Sequence, residues 1–90
     1  MALVNIGFGN MVNSDKIVAV VNPEAAPIKR LVQSAKEAGS VIDATQGRRT
    51  KSVLITQEDH VILSALQPDT IQKRFQIKGE PVQKGEEDEE

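Results

Sequence analysis

Val41-Ile42-Asp43-Ala44-Thr45-Gln46-Gly47-Arg48-Arg49-Thr50-Lys51-Ser52-Val53-Leu54-Ile55-Thr56-Gln57-Glu58-Asp59-His60-Val61-Ile62-Leu63-Ser64-Ala65-Leu66 sets three aliphatic runs between two short polar connections. Val41 to Thr45, Lys51 to Thr56 and His60 to Leu66 are rich in β-branched and aliphatic residues, so each reads as a strand. Two tight connections in succession predict an antiparallel meander, with the basic turn around Arg48 and Arg49 at a hairpin tip.

Upstream, Leu3-Val4-Asn5-Ile6 reads as a first strand that ends at the turn Gly7-Phe8-Gly9-Asn10, and Met11-Val12 resumes it. After Asn13-Ser14-Asp15, the run from Lys16 to Val21 alternates Ile17, Ala19 and Val21 against Val18 and Val20. Both of its faces are apolar, which predicts a central strand. From Pro27 the period changes: Ile28, Leu31, Val32 and Ala35 form one stripe of an amphipathic helix. Pro27 suits the first turn and Gly39 the left-handed stop, which predicts a helix over 27–38. Pro68-Asp69-Thr70 opens a second, short helix through about Phe75, with Ile71 and Phe75 packing inward. The expected fold is α+β: a small antiparallel-rich β-sheet with one packed amphipathic helix and a short C-terminal helix.

Ninety residues make one small domain, which buries too little surface to be robust as a monomer. With no cysteine, disulfides and thiolate metal sites are excluded, which leaves self-association as the available reinforcement. The N-terminus has no basic region followed by a long apolar run, and no stretch approaches the roughly 20 apolar residues of a membrane span. A soluble, cytoplasmic protein is expected. The net charge of −2 divides unevenly. Residues 79–90 carry six carboxylates against Lys84, and this tail is expected to be disordered. The other 78 residues, read as one domain over 1–78, carry ten cations against seven carboxylates, a net of +3.

Arg48 and Arg49, with Lys51 beside them, are the leading candidate site. Adjacent guanidinium groups repel each other, yet their planar forks of donors suit phosphate oxygens and the edge of guanine. The plain alternative is a charged tip that discourages strand-edge aggregation. Asp43 is close enough in sequence to pair with one of the arginines. Lys16, Lys29 and Arg30 are further cations, the last two in a first helical turn where the dipole opposes positive charge. Gly7-Phe8-Gly9-Asn10 lacks the third glycine and the following helix of a dinucleotide loop, so it reads as a turn needing positive φ. His60 has no second histidine and no nucleophile near it in sequence. No catalytic residue, metal site or cofactor is expected, so the chain does not read as an enzyme.

Four motifs in order, Asn5-Ile6-Gly7-Phe8-Gly9-Asn10, Ala26-Pro27-Ile28-Lys29-Arg30, Ile42-Asp43-Ala44-Thr45 with Gly47-Arg48-Arg49-Thr50, and Asp59-His60-Val61-Ile62-Leu63-Ser64-Ala65 with Gln67-Pro68, resemble the RemA family of extracellular-matrix regulators over about residues 3–75. The resemblance implies a transcription regulator of biofilm-matrix and osmoprotection genes that binds the double-stranded DNA of promoter regions. It implies a ring-like homo-oligomer, such as an octamer, with LytTR-like subunits and DNA along the outer rim. It also assigns DNA contact to Arg48 and Arg49, and to a usually arginine position that is Lys16 here. Lysine keeps the charge but loses the bidentate fork. Pro27 matches the family's helix-start proline. The acidic run at the C-terminus has no family counterpart. Two rival functions are an RNA-binding protein, disfavoured by the lack of Tyr and Trp, and an adaptor ring for an acidic protein partner.

Overall fold

The computed structural model describes residues 2–77; the acidic tail expected over 79–90 lies outside them. The order is β1 (Leu3–Asn5), β2 (Met11–Asn13), a 3-10 turn (Ser14–Lys16), β3 (Ile17–Val21), α1 (Ala26–Ala38), β4 (Val41–Asp43), β5 (Ser52–Thr56), β6 (Val61–Ser64) and α2 (Pro68–Ile77). β1 and β2 form an antiparallel hairpin, and the other four strands form one sheet in the order β3-β5-β6-β4. The expected α+β class with two helices therefore holds.

The antiparallel meander does not. β4 runs parallel to β6, with Val41 opposite Val61 and Asp43 opposite Leu63, so β6 stands between β4 and β5. The Arg48–Arg49 loop is thus a crossover between strands that do not touch, rather than a hairpin tip. Its eight residues, 44–51, are long enough to step over one strand, a gap of roughly 10 Å. Only β5 and β6 form the expected tight hairpin. β6 takes the interior place because Val61-Ile62-Leu63-Ser64 is buried on both faces.

The strand expected to be central, β3, lies at the sheet edge and pairs only with β5. A bulge between Ile17 and Ala19 breaks its alternation, because Ile17 faces Thr56 while Ala19 faces Ile55. Ile17 and Val20 consequently pack against one core cluster and Val21 against the other. Val18, at the bulge, is 60% exposed.

The sheet is covered on both faces. On one, α1 lays Ile28, Val32 and Ala35 over Val53, Val61 and Leu63. Leu31, expected on the same stripe, lies at its margin and is exposed. On the other face, Ile6, Leu66 and Ile71 from the hairpin end and α2 pack on Leu54 and Ile62, with Phe75 beside them. α1 ends at Gly39, whose φ of 75° lets its N–H close on Ala35 and Lys36 carbonyls.

The second layer is fastened by two buried hydroxyls. Ser64 Oγ donates to the Ile6 carbonyl at 2.8 Å and accepts the Leu66 N–H at 3.1 Å. Ser52 Oγ donates to the Leu66 carbonyl at 2.6 Å. Ser64→Ala would leave a buried donor and a buried acceptor without these partners. It is expected to cost about 1–3 kcal/mol in urea unfolding.

Candidate nucleic-acid interface

The basic loop is shaped by its own backbone. β4 ends at Asp43, whose Oδ1 accepts the Thr45 N–H at 2.9 Å and the Thr45 hydroxyl at 2.6 Å. Gln46 and Gly47 both take positive φ, 56° and 80°, and the Arg48 N–H closes on the Thr45 carbonyl at 2.9 Å. Positive φ at both central residues is the pattern of a type I′ turn, which glycine enters without strain. This tight reversal sends Arg48 and Arg49 out consecutively. Lys51 follows at the root of β5, its N–H donating to the Ser64 carbonyl at 2.8 Å.

Arg48, Arg49 and Lys51 are all exposed, but the two arginines have different neighbours. The Arg48 guanidinium lies 5.9 Å from the centroid of the Phe8 ring. Phe8 sits at the tip of the β1–β2 turn with a φ of 55°, and the glycines on either side also have positive φ. The turn expected at Gly7-Phe8-Gly9 is therefore present, and it carries the ring that flanks Arg48. A cation–π contact leaves the full positive charge available to a ligand. Arg49 Nη2 instead donates to Glu24 Oε2 at 3.1 Å. Sequence reasoning assigned neither Phe8 nor Glu24 to the site. Both lie far from the arginines along the chain, and no local pattern announces such contacts.

Asp43 does not pair with an arginine as expected. Its carboxylate is engaged by Thr45, and those hydrogen bonds, the side-chain one foremost, hold its pKa below the ordinary carboxylate value, with Lys36 adding a smaller pull. A depressed folded pKa contributes stability above the unfolded value, near 4, and that contribution is lost as pH falls through the folded value. Asp43→Asn keeps an oxygen acceptor but removes the titration. Its free energy of urea unfolding is expected to fall less than the wild type's between pH 5 and pH 2. The difference should be only a few tenths of a kcal/mol, since the carboxylate is solvent-screened.

Of the remaining candidates, Lys29 joins the loop. With Lys36, which the sequence did not single out, it lines a groove of about 250 Å³ beside Thr50, floored by Val32 and Val53. Arg30 follows Lys29 on α1 and is exposed. Lys16 is not brought to the arginines. It precedes Ile17, which pairs with Thr56 at the far end of β5, while the loop enters β5 at Ser52. The five-residue strand between them spans roughly 17 Å. One subunit therefore carries Arg48, Arg49 and Lys51 on or next to one loop and Lys29 and Lys36 beside that loop's Thr50, with Lys16 as an outlier.

Among the described residues no group of three or more His, Cys, Asp or Glu is placed to hold a metal ion. No helix among them is long and apolar enough to cross a membrane. His60 is exposed at the β5–β6 turn, its backbone N–H donating to Thr56 Oγ1 at 3.0 Å.

Relatives share most of this chain. A protein of Clostridium kluyveri is 58% identical over 78 residues, covering 87% of this chain and 85% of the relative. One from Acetivibrio thermocellus is 56% identical over 78 residues, covering 87% and 84%. One from Fervidobacterium nodosum is 60% identical over 73 residues, covering 81% and 78%. Each is described as an inferred regulatory protein. The pattern of the family described as extracellular matrix regulatory protein A-like matches residues 3–75, a span that takes in both sheets, α1, the basic loop and most of α2. The chain belongs to the RemA-like family.

Proposed function

We propose that this chain is a non-catalytic transcription regulator that binds duplex DNA as a ring-like homo-oligomer, with the Arg48–Arg49 pair of each subunit as the main grip. The observation that carries the reading is the loop itself. Two consecutive exposed guanidinium groups leave one tight turn, flanked by Phe8 and Glu24 from two other loops, with Lys29 and Lys36 alongside. Such a cluster offers both charge and forked donors to phosphate oxygens. One copy is a weak binder at a body charge of only +3; several copies on one duplex add their contacts. In a ring, Lys16 of one subunit would supplement the arginines along a curved DNA path. Curvature would favour bendable sequences. The resemblance to RemA suggests promoters of biofilm-matrix and osmoprotection genes as targets, a LytTR-like mode of docking and a cytoplasmic setting.

Self-association has exposed aliphatic surface to use. The hairpin register puts Leu3 and Met11 on one face, 53% and 50% exposed, and Ile42 on the edge strand β4 is 50% exposed. Sedimentation with and without a 40-base-pair duplex tests the reading. The expected result is a particle of several chains that carries the duplex with it. A 9.8 kDa monomer that leaves the duplex unshifted contradicts it.

A further inference from the structure

The two arginines are not equivalent in the free protein. Arg48 sits against a neutral ring, whereas Arg49 meets a carboxylate that the chain itself supplies. The backbone that carries this carboxylate is held in place. Asn22 Oδ1 accepts the Glu24 N–H at 2.7 Å, which fixes the β3–α1 loop with Glu24 towards the basic loop. Carboxylate and phosphate oxygens compete for the same guanidinium fork. The Arg49–Glu24 contact is also open to solvent, the two side chains being 77% and 62% exposed, so it can exchange.

We propose that Glu24 is a selectivity-determining residue that occupies Arg49 as an internal counter-anion and must be displaced by DNA phosphate. The proposal rests on the duplex-binding reading. Its consequence is a threshold. A single anion gains little by displacing Glu24, whereas a duplex that presents phosphates in register to several subunits displaces many at once.

Glu24→Gln keeps the size of the side chain and removes its charge. With a fluorescent random-sequence 40-base-pair duplex, it is expected to tighten binding by about threefold for each engaged Arg49, compounding across subunits. The dependence of log affinity on log salt should steepen by up to about 0.9 per engaged subunit. At low salt, where the weakened grip of an Arg49→Ala background is still measurable, the same change should have little effect there. Glu37→Gln, an equal change in net charge on α1, should not reproduce the gain. Unchanged or weaker binding by Glu24→Gln would overturn the proposal, and so would a gain that persists without Arg49 or is matched by Glu37→Gln. A wild type that fails to bind the duplex at low salt would instead refute the duplex-binding reading itself, which separates the two failures.

Discussion

Arg48→Ala and Arg49→Ala are each expected to abolish measurable duplex binding at physiological salt while leaving the fold and the self-association intact. Both side chains are exposed, so their removal opens no cavity. Among the described residues, Arg48 meets Phe8 and Arg49 meets Glu24, each a surface contact worth at most about 1 kcal/mol to stability. Binding responds differently because the loss is multiplied by symmetry. If each engaged arginine contributes about a fivefold factor, four engaged subunits lose roughly 600-fold together. Arg48→Ala should be at least as damaging as Arg49→Ala, since among the described residues Arg48 meets a neutral ring and Arg49 a carboxylate that must first be displaced. Anisotropy titrations with circular dichroism as the folding control would check this; normal affinity in both variants would remove the loop from the interface.

The second large effect concerns the core. Leu54→Ala should destabilise the domain by about 2–5 kcal/mol. Leu54 is fully buried on β5, one of the two interior strands, packed in the cluster that joins the sheet to Ile6, Leu66 and Ile71. Truncation would leave a void beneath the hairpin and α2, the layer already fastened by Ser52 and Ser64. A domain this small has a total stability near the low end of about 5–15 kcal/mol, so the loss is a large fraction of it. Val18→Ala, at the exposed bulge, should change the free energy of urea unfolding by less than about 0.5 kcal/mol. Equal effects at the two positions would contradict the assigned core.

The elements themselves were largely legible along the chain because their signals are local. The apolar period from Ile28 to Ala35, with Pro27 and Gly39 at its limits, placed α1 within one residue of Ala26–Ala38. Strand ends carry a further signal that the sequence offers plainly. Asn5, Asn13, Asn22 and Asp43 each accept the N–H two residues ahead, at the point where β1, β2, β3 and β4 stop. That pattern could have predicted Asp43 turning onto Thr45 rather than reaching an arginine.

What could not be read was the order of strands and the contacts it creates. Two polar connections look alike in sequence whether the next strand pairs with the last one or crosses over a neighbour. The parallel pairing of β4 with β6 is settled by burial of Val61–Ser64 on both faces, a tertiary demand. Arg48, Arg49 and Lys51 stood out as candidates from residue chemistry alone. Phe8 and Glu24 were not, because three separate loops must first fold to bring them to the arginines.

The most direct measurement is the affinity of the wild-type chain for a duplex across a range of salt concentrations. A grip made of repeated phosphate contacts predicts that log affinity falls linearly with log salt, with a slope near −0.9 for every contact and hence steeper than about −3.5 for four or more engaged sites. A slope near zero, or duplex binding at full strength in high salt, would contradict it.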